Sequence, residues 1–247
     1  MFHPRLALAS LSGESDAAWA RDAAPFAGAA MLGGIAICQT TRAAARAMVE
    51  QERTEFLPTD PLSFVDTQFA ALDGVPIRPG INVRSVEPER VEAMARVCAD
   101  HGAMLEVNAH CRQQEMCAAG AGETLLVESD RLADLVAAGV RPGVPVCVKV
   151  RAEVPRVDLV DVARTIEAAG ADGIHVDAMD TESVIEDIAA ATDLFVIANN
   201  GVRDFETTAT YLNAGADAVS VGRASDRPPV LRSVRAALDH WCVVNGR

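Results

Sequence analysis

The stretch Glu106-Val107-Asn108-Ala109-His110-Cys111 places a carboxylate, an amide, an imidazole and a thiol within six residues. It closes an apolar run, AMLEVNAH (103–110), that reads as a buried strand. Polar side chains crowded at the C-terminal tip of a buried parallel strand are what an α/β active site requires. Lys149 is the second candidate, because it is the only lysine among 22 basic residues and lies in the apolar run PVCVKVR (145–151). An ammonium there stabilises an anionic ring or, once desolvated, forms a Schiff base. Asn199-Asn200-Gly201 and Gly222-Arg223 form a third group. Their small residues expose backbone N–H groups, and a guanidinium grips an anion through two hydrogen bonds, so a phosphorylated ligand or cofactor is expected.

The elements that must position these groups alternate along the chain. Strand candidates are LALASL (6–11), AAMLGGIAI (29–37), PGINVRSV (79–86), AMLEVNAH, PVCVKVR, GIHVDAM (173–179), LFVIANNG (194–201) and ADAVSVGR (216–223). Each is followed by a helix-like segment, and Gly or Pro stands at most joints. The first helix has Ser15 or Asp16 available as N-cap. Eight strand–helix pairs predict a (β/α)8 TIM barrel in a single domain over 1–247. An open doubly wound sheet is the competing arrangement, and no G-x-G-x-x-G follows the first strand to support it.

In such a barrel the functional residues gather at the C-terminal strand ends. Those ends supply Asn82 and Arg84, then Asn108 and Cys111, then Lys149 and Arg151, then His175 and Asp177, with the Asn-Gly and Gly-Arg pairs last. Glu106, Asn108 and His110 share one strand face, as do Lys149 with Arg151 and His175 with Asp177, so all are expected to point into the barrel mouth.

A formal charge of −13 with no basic stripe argues against a generic nucleic-acid binder. The acid-rich, lysine-poor composition suggests a high-salt cytoplasm. No apolar run reaches the roughly 20 residues of a membrane span, and the N-terminus lacks a signal-peptide layout, so a cytoplasmic protein is expected. The six cysteines are scattered, and Cys98 and Cys147 are expected to be buried as small hydrophobes. His110-Cys111 followed by Cys117 has no second ligand pair at zinc spacing, so no metal site is expected.

Several motifs, in order, resemble the dihydrouridine synthase family of flavin-dependent barrels, relatives of dihydroorotate dehydrogenases. LASLSGESDAAW (8–19) resembles the A-P-M-x-G-x-T-D opening, with Ser10 where proline is usual and Gly13, Ser15 and Asp16 in step. INVRSVEPE (81–89) resembles V-Q-x-x-G-x-x-P-E, with Asn82 in place of glutamine. EVNAHC resembles D-x-N-x-G-C-P, and GAGETLL (120–126) the following G-x-G-x-x-L-L, while PVCVKVR, NNGV and VGRA match later motifs. The resemblance implies FMN over the barrel mouth, its phosphate near Asn200, Gly201, Gly222 and Arg223. Lys149 would approach the flavin's pyrimidine edge. Asn82 and Asn108 would position flavin or substrate, and His175 and Asp177 would complete the cofactor site. Hydride from flavin N5 would reach C6 of a tRNA uridine, and Cys111 would protonate C5. An ordinary thiol pKa of about 8.5 keeps the proton available at neutral pH. NAD(P)H is the implied reductant.

The departures fall in the same places. Asp177 stands where the family has histidine, His110 replaces a glycine, and Arg112 replaces the proline after the cysteine. The sequence looks like a short archaeal branch, without the family's helical tRNA-gripping domain. A free pyrimidine or another small ring is therefore a second candidate substrate. A flavin-free barrel, either a Lys149 Schiff-base lyase or a binding protein, is a third reading.

Overall fold

All eight expected strands form, and they close on one another in chain order as a parallel barrel. The computed structural model describes residues 1–178 and 181–245. The first half runs β1 (Leu6–Leu8), α1 (Ala17–Ala23), β2 (Ala29–Ala36), α2 (Gln39–Glu50), α3 (Pro61–Ala70), β3 (Arg78–Arg84), α4 (Pro88–Asp100) and β4 (Met104–Ala109). Two short helices, α5 (Gln114–Ala118) and α6 (Thr124–Val127), then lie ahead of α7 (Ser129–Val140). The second half comprises β5 (Val146–Arg151), α8 (Leu159–Ala168), β6 (Gly173–Asp177), α9 (Ser183–Ala191), β7 (Phe195–Asn199), α10 (Phe205–Asn213), β8 (Ala218–Val221) and α11 (Pro228–Asn245). The sixth strand was expected to reach Met179, which lies outside the described residues.

Local chemistry sets the helix starts. Asp16, not Ser15, caps α1, its carboxylate accepting from Trp19 N at 2.9 Å. Ser15 instead ties the first loop to β2, its hydroxyl accepting from Leu11 N at 2.8 Å and donating to the carbonyl of Gly33 at 2.8 Å. Asp60 before Pro61, Asp158, and an Asp204–Thr207 capping box start α3, α8 and α10.

The main core lies between strands and helices, where Leu6, Leu8, Val83, Leu105, Val107, Val148 and Ile174 are all buried. A separate small cluster of Ala7, Ala29, Cys147, Ile197 and Ala218 fills the lower interior of the barrel. Met1, Phe2 and Phe195 close that end, the two phenylalanine rings meeting edge-on at 5.5 Å. Cys98 and Cys147 are fully buried as expected, and burial pushes both thiols up.

Candidate active site at the barrel mouth

The strand register decides which polar side chains meet. Asn82 pairs with Glu106, Asn108 with Lys149, and Lys149 with His175, so their side chains sit on neighbouring strands at similar heights. Asn82, Glu106 and His175 are fully buried. Asn82 Nδ2 donates to Glu106 Oε1 at 2.7 Å, and His175 Nδ1 lies 2.6 Å from Glu106 Oε2. His175 Nε2 is 2.7 Å from Ser220 Oγ. The space Asn82 needs comes from Gly34 on β2, where a Cβ would stand 2.8 Å from Asn82 Oδ1.

This differs from the expectation for three residues. Glu106, His175 and Asn82 do not reach the open mouth but form a polar layer beneath it, their hydrogen-bonding atoms turned on one another. The alternation placed them on the inner face correctly; it carried no information about height. Asn82 and His175 were expected to touch the cofactor, and neither lines the cavity above.

Above that layer, two adjoining cavities of about 360 and 350 Å³ open at the C-terminal end of the barrel. His110, Lys149, Asp177, Asn200 and Arg223 line both. Gly201 and Gly222 border the first, while Asn108, Cys111, Arg112 and Arg151 border the second. The fold thus brings the remaining expected site residues to one opening.

The loop after β4 is held from two sides. Asn108 Oδ1 accepts the backbone N–H groups of His110 at 3.1 Å and Cys111 at 2.9 Å. From the other side the Cys111 carbonyl accepts from Glu123 N at 2.9 Å and from Cys117 Sγ at 3.5 Å. Gly122 makes this approach feasible, having φ +62° and no side chain where a Cβ would lie 2.1 Å from that carbonyl oxygen. The glycine-rich motif at 120–126 therefore shapes the cysteine loop.

His110 and Asp177 form a pair, with Nε2 2.8 Å from Oδ2. Asn200 Nδ2 donates to Asp177 Oδ1 at 2.8 Å, and Tyr211 donates its hydroxyl to the carbonyl of Asn200, whose φ is +87°. Burial alone would raise Asp177, but hydrogen bonds from His110 and Asn200 and the nearby cations hold it well below the usual carboxylate range. Burial lowers His110, against the pull of Asp177, so the ring is neutral at neutral pH with Nε2–H donating. The residues at 110 and 177 thus face each other, an imidazole just after β4 meeting a carboxylate at the end of β6.

Lys149 is 5% exposed and makes no hydrogen bond or ion pair with the described residues. Burial lowers its pKa, opposed by the Glu106 and Asp177 carboxylates. Arg84 pairs with Glu55 at 2.6 Å, and Arg151 with Glu123 at 3.2 Å. Arg53, Arg84, Arg112, Arg151, Arg223 and Lys149 border a single cavity. The sequence carries no basic stripe, yet the fold assembles a basic rim from segments up to 170 residues apart (223 − 53). Among the described residues no group of three or more His, Cys, Asp or Glu side chains could hold a metal ion.

A closed parallel eight-stranded barrel with its polar groups at the C-terminal strand ends is the architecture of an α/β-barrel enzyme site. The chain belongs to the dihydrouridine synthase family: the profile described as Dihydrouridine synthase (Dus) matches residues 80–243. It is 31% identical over 170 residues to tRNA-dihydrouridine synthase B of Xanthomonas campestris pv. campestris, covering 63% of this chain and 51% of that protein. The chain thus spans about half the length of the tRNA-dihydrouridine synthase B relatives it matches. An uncharacterized protein of Methanocaldococcus jannaschii is 24% identical over 231 residues, covering 89% of this chain and 88% of the relative. The fold is similar to that of DHODH from Eimeria tenella in complex with ferulenol, with TM-score 0.72 at 16% identity, covering 99% of this chain and 83% of that one.

Proposed function

We propose that this protein is an FMN-dependent reductase of the uridine C5–C6 double bond in tRNA, with Cys111 as proton donor. The observation that carries the reading is the anchored Cys111 loop sharing one cavity with Lys149 and Arg223, whose side chains have no hydrogen-bond partner among the described residues. The names of the tRNA-dihydrouridine synthase B relatives support the substrate.

The residues present fit a flavin phosphate. A Cβ on Gly201 would meet no heavy atom within 4 Å, and one on Gly222 would meet only Leu11 Cδ2 at 4.0 Å, so a cradle stands open there. Asn200, Gly201, Gly222 and Arg223 would hold the phosphate, and Lys149 with its unused donors would meet the electron-rich edge of the ring. Bound FMN, with NAD(P)H as its reductant, would supply the hydride for C6. Cys111 then gives its S–H proton to C5, and the thiolate regains a proton from water. Lys149 stabilises the charge that develops on the ring, in a site where burial strengthens its field. The basic rim around Arg112 supports an RNA backbone at the opening, because arginines that neutralise phosphates release counterions.

The test is turnover by purified, flavin-loaded protein on unmodified tRNA and on free uracil, together with its absorption spectrum. A flavin band and dihydrouridine in tRNA are expected. Reduction of free uracil alone would transfer the reading to a small-pyrimidine reductase. A colourless protein trapped by borohydride at Lys149 would replace it with a Schiff-base enzyme.

A further inference from the structure

Beneath the mouth, polar side chains of β3, β4, β6, β7 and β8 form one continuous hydrogen-bond chain across the barrel interior. Asn199 Nδ2 donates to Ser220 Oγ at 2.7 Å, and Ser220 Oγ lies 2.7 Å from His175 Nε2. His175 Nδ1 meets Glu106 Oε2 at 2.6 Å, and Glu106 Oε1 accepts from Asn82 Nδ2 at 2.7 Å. Asn82 Oδ1 accepts from Asn108 Nδ2 at 2.8 Å, which leaves Asn108 Oδ1 for the N–H groups of His110 and Cys111.

Every link from Glu106 to the cysteine loop has a forced direction. An ionised carboxylate only accepts, so both neighbours of Glu106 must donate to it. Asn82 must turn its NH2 toward Glu106 and therefore its oxygen toward Asn108. Asn108 must then turn its own NH2 inward and its oxygen outward, to the cysteine loop. On the other arm His175 must carry a proton on Nδ1, and Ser220 Oγ receives the Asn199 amide. Burial raises the Glu106 carboxyl, but the imidazole of His175 first, then the cation of Lys149 and the Asn82 amide, outweigh it and hold the carboxyl at about 2, so it is ionised at neutral pH.

We infer that Glu106 is a positioning residue for Cys111: a carboxylate with no access to the cavity sets the orientation of two amides in series and thereby the place of the thiol. The geometry stands apart from the identity of the substrate. Only its consequence for turnover rests on the proposed function.

The experiment uses the full-length protein and reads the Cys111 alkylation rate with iodoacetamide, the His175 tautomer by ¹⁵N NMR, and turnover on tRNA. In Glu106→Gln the new side chain can accept from Asn82 and donate to His175. The Cys111 arm should therefore stay in place while His175 gives up its proton on Nδ1. Alkylation and turnover are expected within about threefold of wild type, because each hydrogen bond on that arm is kept. Glu106→Met removes the acceptor, frees both amides to flip, and should raise alkylation about tenfold while lowering turnover at least as much. Asn82→Leu breaks the same arm without touching the carboxylate and serves if Glu106→Met does not fold; the same Cys111 changes are expected. Ser220→Ala should perturb the His175 signal and leave Cys111 unchanged. Unaltered alkylation in folded Glu106→Met or Asn82→Leu would overturn the inference. So would a Glu106→Gln protein as impaired as Glu106→Met, since charge and not amide orientation would then be decisive. If wild-type protein reduces no tRNA, the proposed function fails while the alkylation and tautomer readings still decide this one.

Discussion

The two ends of the barrel interior use the same strands for opposite purposes. Low in the barrel, Cys147, Ile197 and Ala218 face Ala7 and Ala29 in a dry cluster sealed by Met1, Phe2 and Phe195. Two residues further along the same inner faces, Cys147 gives way to Lys149, Ile197 to Asn199 and Ala218 to Ser220. Two residues of strand advance only about 6.6 Å, so apolar floor and polar layer are in contact. The floor closes that end with small side chains packed on one another. It also keeps the polar layer away from solvent on its lower side, where an unpaired carboxylate or amide would be costly. The polar layer can be buried because its members satisfy one another, while the Lys149 and Arg223 side chains at the mouth border an open cavity and make no hydrogen bond with the described residues.

The two cysteines set this contrast most sharply. Cys111 at the mouth is half-buried and borders the cavity, whereas Cys147 on the floor is fully enclosed. Cys111→Ala is expected to lower uridine reduction about a hundredfold or more, the usual contribution of a positioned acid, with little change in thermal stability. Cys147→Ala should leave turnover intact and cost about 1 kcal/mol by opening a small void. Steady-state kinetics and thermal melts on both variants check the pair. Equal loss of activity would mean that the floor is part of the reactive site.

Acid should separate the ends next. The floor cluster contains no carboxylate, while Glu106 and Asp177 both have folded-state pKa values below the ordinary range. Such groups add stability above their unfolded pKa and lose it as pH falls through the folded value. For Glu106 that window runs from 4.5 down to about 2. Glu55 runs the other way: burial raises it despite Arg84, so its contribution favours the folded state at low pH and fades as pH rises through its raised value. Unfolding followed between pH 5 and 2 should therefore show falling stability in wild type, and Asp177→Asn should show a shallower fall. An unchanged slope would detach the His110–Asp177 pair from the acid response.

How far this division is legible in the sequence depends on what strand alternation encodes. Period two announced the inner faces of β4, β5 and β6, and the eightfold repeat announced closure, because both are local patterns multiplied along the chain. Height within the barrel is set by strand stagger and inter-strand register, which no single segment carries. That is why Glu106, Asn82 and His175 were expected at the mouth and lie below it. The basic rim was missed for a related reason, since Arg53, Arg112 and Arg223 are neighbours only after closure. Gly122 was visible as a motif residue, but its contact with the Cys111 carbonyl depends on the fold of a loop that has few local constraints.

The smallest expected effect tests whether the floor is only a seal. Ile197 is fully buried, paired in register with His175 on one side and Ala218 on the other. Ile197→Val removes one methyl group from a site where the neighbouring strands cannot readily close the gap, at a cost of about 1 kcal/mol. The backbone pairing with His175 is untouched by that change, so the Glu106–His175 contact and the Cys111 loop should hold their places. The melting temperature should fall by a few degrees, about 2–4 °C for a chain of this size, with turnover and Cys111 alkylation unchanged. A drop in turnover larger than the loss of folded protein explains would show that packing at the floor is transmitted through His175 to the mouth. The two ends would then be one mechanical unit, and the polar layer would be its coupling element.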